Sequence, residues 1–458
     1  MENSLTPSLQ RMQAYFRSGA TQAYAFRKRQ LQQLKKAIKA NEQELQTALF
    51  TDLRKNAEET WVTETGFVLN ELNYALANLE HWMQKKQVDT NLLNFPGSSY
   101  IKAEPMGTVL IIGPWNYPLQ LIMVPLIGAI AAGNCVVIKP SEFAPATLGA
   151  IKKIIESVFS PEYIMMTEGE GHEVVPALMQ QFTFDLVFYT GSPAVGKSIY
   201  KMAAENLVPV VLELGGKSPC VIESDAHIKV AAQRIVQAKF SNAGQMCIAP
   251  DYILVHTSVK EKLLQHLQRT IEKFFGANPA ESYDYGRIIN TKQFDRLTNY
   301  LQNGTIVTGG QYNRDDLYIA PTVMTDIGDN AAVMQDEIFG PILPVLEYSS
   351  MPEALAIIAK HPNPLAFYIY SSSSKKQEQW LQAVPSGNAC INTSSMHATN
   401  HHLPFGGRGT SGIGAYHGKH SFDTFSHKKG ILKSPTWFDP AAKYPSLKGK
   451  LGLLKKIV

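Results

Sequence analysis

The 458-residue chain is 45% apolar and 18% charged, with a formal net charge of +4. That balance excludes a disordered chain, and it supplies neither the basic footprint of a nucleic-acid binder nor a surface for an acidic partner. Four scattered cysteines, Cys135, Cys220, Cys247 and Cys390, lack CxxC and Cys/His spacing, so no metal site and no disulfide framework is expected, and the setting reads as reducing and cytoplasmic.

The N-terminal "MENSLTPSLQRMQAYFRSG" has no apolar signal-peptide core and reads as the start of a polar helix. Residues 8 to 86 carry Gln, Lys, Glu, Leu and Ala at helical spacing, which predicts two or three amphipathic helices. A Pro/Gly/Asn stretch, "NLLNFPGSSYIKAEP", then leads to the strand pattern "TVLII". No charged residue lies between Glu104 and Lys139, long enough for a membrane span, which takes about 20 apolar residues. Pro114, Asn116, Pro118, Gln120, Pro125, Gly133 and Asn134 break it up, so strand, loop, helix and strand of a buried α/β core is the better reading.

From "TVLII" the chain alternates strands ("CVVIKP", "DLVFYTG") with helical patterns, as βαβ units of a parallel sheet do. A second cycle follows "PVVLELGGKSPCVIE", so two α/β domains joined near "ELGG" are expected. The basic tail, "KYPSLKGKLGLLKKIV", suits either a membrane surface or a helix or strand packed on a partner subunit.

Several short stretches carry chemistry. "PWNYP" holds the carboxamide of Asn116 between prolines, where a rigid amide can donate to a developing oxyanion or simply stabilise a turn. Lys139 and Glu142 in "VVIKPSEFAPAT" fall at the C-terminal end of a parallel strand, placed for ribose hydroxyls or for a surface ion pair. Gly191 and Ser192 in "FYTGSPAVGK" open a helix N-terminus suited to a phosphate, although the pattern is not GxGxxG. Glu213, inside the apolar "VPVVLEL", is costly unless paired or used, and burial would move its pKa toward a general base's range. Cys247 in "FSNAGQMCIAP" is either a buried filler or a nucleophile on a tight turn. Glu337 in "MQDEIFGPILPV" could contact ribose or substrate, or merely flank a turn. "HATNHHLPFGGRGTSGIGAYHGKHSF" brings His397, His401 and His402 without a nearby Cys, Asp or Glu, so it reads as a substrate-lining loop and not a metal site.

In order and identity, "PWNYP", "IKPSE", "TGS", "LELGGKSP", "GQMCIAP", "EIFGP" and "PFGGRGTSGIGAYHGKHSFDTFSHKK" strongly resemble the aldehyde dehydrogenase superfamily across nearly the whole chain. The ending looks most like its class 3, fatty-aldehyde branch. The resemblance implies an α/β fold with a Rossmann-like NAD-binding domain, an α/β catalytic domain and a small β oligomerisation element. In this chain those would be residues 1–212 (with about 87–103 in the oligomerisation element), 213–400, and a C-terminal piece, 401–458. It implies oxidation of medium- or long-chain aliphatic or aromatic aldehydes to carboxylic acids. Cys247 matches the nucleophile, Asn116 the oxyanion amide and Glu213 the base, with Glu337 left open as an alternative base. Lys139, Glu142, Gly191, Ser192, Glu337 and Phe339 match cofactor contacts, and Tyr117, Met246 and His397 fall to the substrate pocket. NAD is expected, with NADP tolerated, in a homodimer whose exchanged strand includes the C-terminal region. Met246, Tyr189 and Arg408 depart from the family's commoner residues and bear on substrate preference. The rivals are a coenzyme A-acylating dehydrogenase, a cysteine-dependent hydrolase and a catalytically silent protein of the same fold.

Overall fold

The computed structural model describes residues 5–328, 330–440, 443–452 and 455. Two large sheets organise it. The first has six strands in the order Gly412–Ile413, Val210–Leu214, Leu186–Gly191, Thr108–Ile112, Cys135–Lys139 and Ile164–Met166. All neighbours are parallel except the two-residue edge strand. The second has seven strands: Thr305–Thr308, Thr322–Thr325, Ile342–Tyr348, Tyr252–His256, Pro219–Ile222, Ala366–Tyr370 and Asn388–Ile391. It too is parallel apart from its first pair. Parallel strands buried on both faces read as continuous apolar runs, as "TVLII" and "CVVIK" do. The chain leaves the first sheet at Leu214 and joins the second at Pro219, so "GGKS" bridges the two.

The uncharged stretch resolves into Thr108–Ile112, the helix Gln120–Ala132 and Cys135–Lys139, all buried. Among the described residues no helix is long and apolar enough to cross a membrane. A third, three-stranded sheet pairs Ser98–Pro105 with Lys86–Val88 on one side and with Ser426–Lys433 on the other, all antiparallel.

The N-terminal region differs from the two or three helices expected. It holds Leu5–Arg17, Tyr24–Ala40, Glu42–Leu53, Ala57–Thr60 and Gly66–Met83, with a π-helical turn, Trp61–Thr65, before the last. Asn41 separates the second helix from the third with no proline or glycine to mark it, and Arg54 ends the third in a left-handed conformation (φ 57°). Sequence periodicity runs smoothly across both breaks, and local backbone geometry makes them. A short strand, Ile164–Met166, and a helix, Gly171–Gln181, follow in a stretch whose sequence pattern marks neither.

Candidate active site

The Ile228–Phe240 helix ends in a tight turn, Ser241–Gly244, in which Asn242 (φ 51°), Ala243 (φ 50°) and Gly244 (φ 75°) are all left-handed. Gly244 is required there, because a Cβ would lie 2.2 Å from the Gly340 carbonyl. The turn delivers Cys247, half-buried, between two cavities. The Tyr368 hydroxyl donates to the Ile248 carbonyl just beyond it. Burial pushes the Cys247 thiol up, helped by the negative charges of Glu337 and Glu213, while the N–H groups of Cys247 and Ile248 pull the other way.

The first cavity, of about 220 Å³, is lined by Trp115, Asn116, Thr190–Ser192, Glu213–Gly215, Gln293, Glu337 and Phe339 around Cys247. The second, of about 200 Å³, is lined by Phe67, Tyr117, Met246, Met396, Phe405, Tyr416 and His417 among others. Leu121, Thr190, Glu213 and Cys247 belong to both. The thiol therefore stands in the wall that separates two spaces of similar size and different chemistry.

Glu213 sits opposite Thr190 in the parallel register and opposite Gly412 on its other side. It is 3% exposed, and neither carboxylate oxygen has a partner. Burial alone raises its pKa well above the ordinary carboxylate value. Such a group is expensive to keep unless a ligand, water or substrate meets it. Glu337 is half-buried, with Oε1 shielded from solvent, and its pKa is raised to about 8 by desolvation and then by Asp251, against the opposing pull of the Gly216 N–H, Lys217 and Lys239. Its carboxylate occupies the space a Cβ at Gly215 would take, 1.8 Å away, so glycine is needed for that approach. Glu337 lines only the first cavity, while Glu213 lines both.

Asn116 is 2% exposed and donates through Nδ2 to the Gln245 carbonyl at 3.1 Å, two residues before Cys247. Gly191 and Ser192 lead into the Pro193–Ala204 helix, with Ser192 as its N-cap. Phe339 faces Trp115 edge-on at 5.3 Å. Lys139 and Glu142 lie outside the lining of this cavity and are paired with each other at 2.9 Å, with Glu142 also accepting from the Gly171 N–H at 2.9 Å.

Tyr117 and Met246 line the second cavity, but His397 does not. Its neighbours Met396 and Ala398 do, while the imidazole stacks on Phe405 (5.7 Å, 10°) and its Nδ1 meets the Cys390 thiol at 3.1 Å. Burial, and then His417, lowers its pKa to about 4, so it is a neutral prop behind the wall. Phe405, Tyr416 and His417, which do line the second cavity, come from the same glycine- and histidine-rich stretch, residues 397–422. Among the described residues no cluster of His, Cys, Asp or Glu could hold a metal ion.

The first cavity suits a dinucleotide: it opens at a helix N-terminus, and Thr190 Oγ1 and Glu337 Oε1 are buried in it without partners. A thiol and an unpaired carboxylate stand between such a cleft and the second cavity in an α/β fold built on two mainly parallel sheets.

The chain belongs to the aldehyde dehydrogenase family, whose pattern it matches over residues 6–431. It is 48% identical to the 4,4'-diaponeurosporen-aldehyde dehydrogenase of Staphylococcus aureus (strain NCTC 8325 / PS 47) over 444 residues, 96% of each chain. It is 44% identical to the human aldehyde dehydrogenase family 3 member B1 over 432 residues, 94% of this chain and 92% of that one. The solved substrate-bound state of Staphylococcus aureus AldH superposes with a TM-score of 0.97 at 46% identity, covering 99% of both chains. The protein is therefore a class 3-like enzyme that oxidises aldehydes to carboxylic acids with NAD(P).

Proposed function

We propose that Cys247, Asn116 and Glu213 carry this reaction on medium- or long-chain aliphatic or aromatic aldehydes. The observation that carries the proposal is the shared wall: Cys247 and Glu213 alone among the ionisable residues line both cavities. Cys247 gives its thiol proton to water, and the thiolate so formed attacks the aldehyde carbon presented from the second cavity. Asn116 spends one amide N–H on Gln245, which fixes its rotation, and offers the second to the oxyanion together with the Cys247 N–H. Bound NAD(P) supplies the acceptor for the hydride that leaves this carbon. The chain is left holding a thioester on Cys247. Glu213 takes a proton from water, the water attacks the thioester, and the carboxylic acid leaves as the thiol is restored.

Glu213 is favoured over Glu337 as the base because it reaches both spaces and both its oxygens are free, whereas Glu337 lines only the cofactor side. An unpaired buried carboxylate beside the thioester also favours water over coenzyme A as acyl acceptor. Gly191, Ser192, Glu337 and Phe339 would hold the dinucleotide near its phosphates and nicotinamide. Lys139 and Glu142 would meet the adenosine ribose. The Glu142 carboxylate favours a 2′-hydroxyl over a 2′-phosphate, and Lys139 keeps NADP tolerable, so NAD is preferred. The apolar second cavity, with Met246, Met396, Phe405 and Tyr416, supports a bulky apolar aldehyde.

The enzyme is further proposed to act in the cytoplasm as a homodimer, joined through the sheet that contains Ser426–Lys433. The described part of the tail, with exposed Trp437, Phe438, Tyr444, Leu447 and Leu451 among lysines, suits contact with a membrane surface. The test is nicotinamide reduction by the purified protein with NAD and with NADP, using short, long and aromatic aldehydes, beside Cys247→Ala. Turnover with a long or aromatic aldehyde that disappears in the variant is expected. Turnover that survives it, or that requires coenzyme A, would overturn the assignment.

A further inference from the structure

The segment joining the Glu42–Leu53 and Gly66–Met83 helices carries Lys55, Glu59 and Glu64, and none of them lines either cavity. Lys55 and Glu64 are fully buried, a costly arrangement where an apolar pair would fill the same volume. Lys55 Nζ donates to Glu64 Oε1 at 2.7 Å and to the Asn116 carbonyl at 3.0 Å, and lies 3.9 Å from the centre of the Tyr117 ring. Glu64 Oε2 accepts the Gln120 N–H at 2.8 Å, so the carboxylate ties Lys55 to the start of the Gln120–Ala132 helix. Glu64 comes from the π-helical turn Trp61–Thr65, a wide turn of the kind often found at functional sites.

The Asn116 carbonyl also accepts from Asn242 Nδ2 at 2.8 Å, and Asn242 Nδ2 lies 3.1 Å from the same Gln245 carbonyl that Asn116 contacts. On the far side, Glu59 Oε1 accepts the Asn242 N–H at 2.7 Å. This short segment therefore grips both the "PWNYP" turn and the turn before Cys247. The charge of Lys55 lands on the main chain of the one residue whose side chain must point correctly at the reacting carbonyl.

We propose that Lys55, braced by Glu64, is a positioning residue for aldehyde oxidation, which acts through the Asn116 carbonyl to hold the Asn116 amide in register with Cys247. The proposal rests on the oxyanion role given to Asn116 above. It predicts that replacing the buried pair by neutral groups of similar volume costs catalysis while leaving the fold and the thiol intact.

The test uses the full chain with Lys55→Met/Glu64→Gln, in which the new carboxamide keeps an acceptor for the Gln120 N–H while the donor to Asn116 is lost. Four readouts are taken: thermal melting, alkylation of Cys247 by iodoacetamide, cofactor-free hydrolysis of 4-nitrophenyl acetate, and aldehyde oxidation. Melting within a few degrees of wild type and alkylation within about threefold are expected, with kcat for both reactions lower by about 10- to 100-fold and KM little changed. In an Asn116→Ala background the same double substitution should cost less than about twofold, since the group it positions is gone. Wild-type kcat in the double variant, an equal fractional loss in the Asn116→Ala background, or alkylation falling in step with turnover would each overturn the proposal. Full activity in Asn116→Ala alone would instead strike the oxyanion assignment. If the double variant does not fold, Glu64→Gln alone should lose about 3- to 10-fold in kcat with the same pattern, and wild-type kcat there would contradict the bracing role.

Discussion

The two cavities that meet at Cys247 have nearly the same volume, about 220 and 200 Å³, yet their walls differ. The first is edged by a helix N-terminus, a glycine approach and unpartnered polar atoms of Thr190 and Glu337. The second is walled by methionines and aromatic rings, with Phe405 stacked between the neutral imidazoles of His397 and His417. Both are largely apolar, and the second also carries Thr63, Gln120, Gln237, Ser241 and Thr399, so what distinguishes them is the helix N-terminus on one side and the aromatic and methionine side chains on the other. Among the described residues they share Leu121, Thr190, Glu213 and Cys247, and the last two are the pair to which the proposed chemistry is given.

Perturbing the shared wall should break this arrangement most severely. Glu213→Gln is expected to lower steady-state turnover about 1000-fold while retaining a first-turnover burst of reduced nicotinamide, read by stopped-flow absorbance. Loss of the burst along with turnover would place Glu213 before the hydride step. The burial that raises Glu213 also fixes the pH dependence. While deacylation limits the rate, kcat should climb about tenfold per pH unit below the raised Glu213 pKa, and a flat profile above pH 5 would contradict it.

Changes confined to one side should separate the two. Phe405→Ala, on the apolar side, should reduce kcat/KM for a long-chain aldehyde by about 10- to 50-fold with the KM for NAD within twofold. Glu142→Gln, outside both linings at the position proposed for the adenosine ribose, should do the reverse, narrowing the NAD over NADP preference about 5- to 20-fold with no effect on aldehyde chain-length preference. If either variant moved both profiles, the two sides would not be independent.

The smallest effect is on stability, and its sign is opposite. The folded-state pKa of Glu213 is raised, so the fold favours the protonated carboxyl. As pH rises above the unfolded carboxylate pKa toward the folded value, the native state loses about 1.4 kcal/mol per unit from this one group. Glu213→Gln removes that penalty. The variant should melt a few degrees higher than wild type at pH 8 and close to it at pH 5, as measured by scanning calorimetry.

The contrast between the cavities also explains what the sequence made legible. Cys247, Asn116 and Glu213 each stand in a short run whose chemistry is odd for its surroundings: a thiol on a turn, an amide between prolines, a carboxylate inside "VVLEL". The parallel strands were legible because burial on both faces makes them uniformly apolar. Lys55, Glu59 and Glu64 were not, since "DLRKNAEETWVTE" reads as the solvated face of a helix, and only the π turn and the distant "PWNYP" segment bury it. His397 is the converse case: in the short helical turn Met396–Thr399 its neighbours line the cavity and it does not. The five helices of the N-terminal region were undercounted because their breaks at Asn41 and Arg54 use no proline or glycine.

The central claim is that one thiol in a shared wall holds the acyl group until Glu213 releases it. The direct measurement is intact-protein mass spectrometry of Glu213→Gln after brief exposure to NAD and a long-chain aldehyde. The account predicts a gain equal to the acyl group, mapped to Cys247, absent without NAD and absent in Cys247→Ala/Glu213→Gln. Reduced nicotinamide formed with no acyl adduct on Cys247 would contradict it.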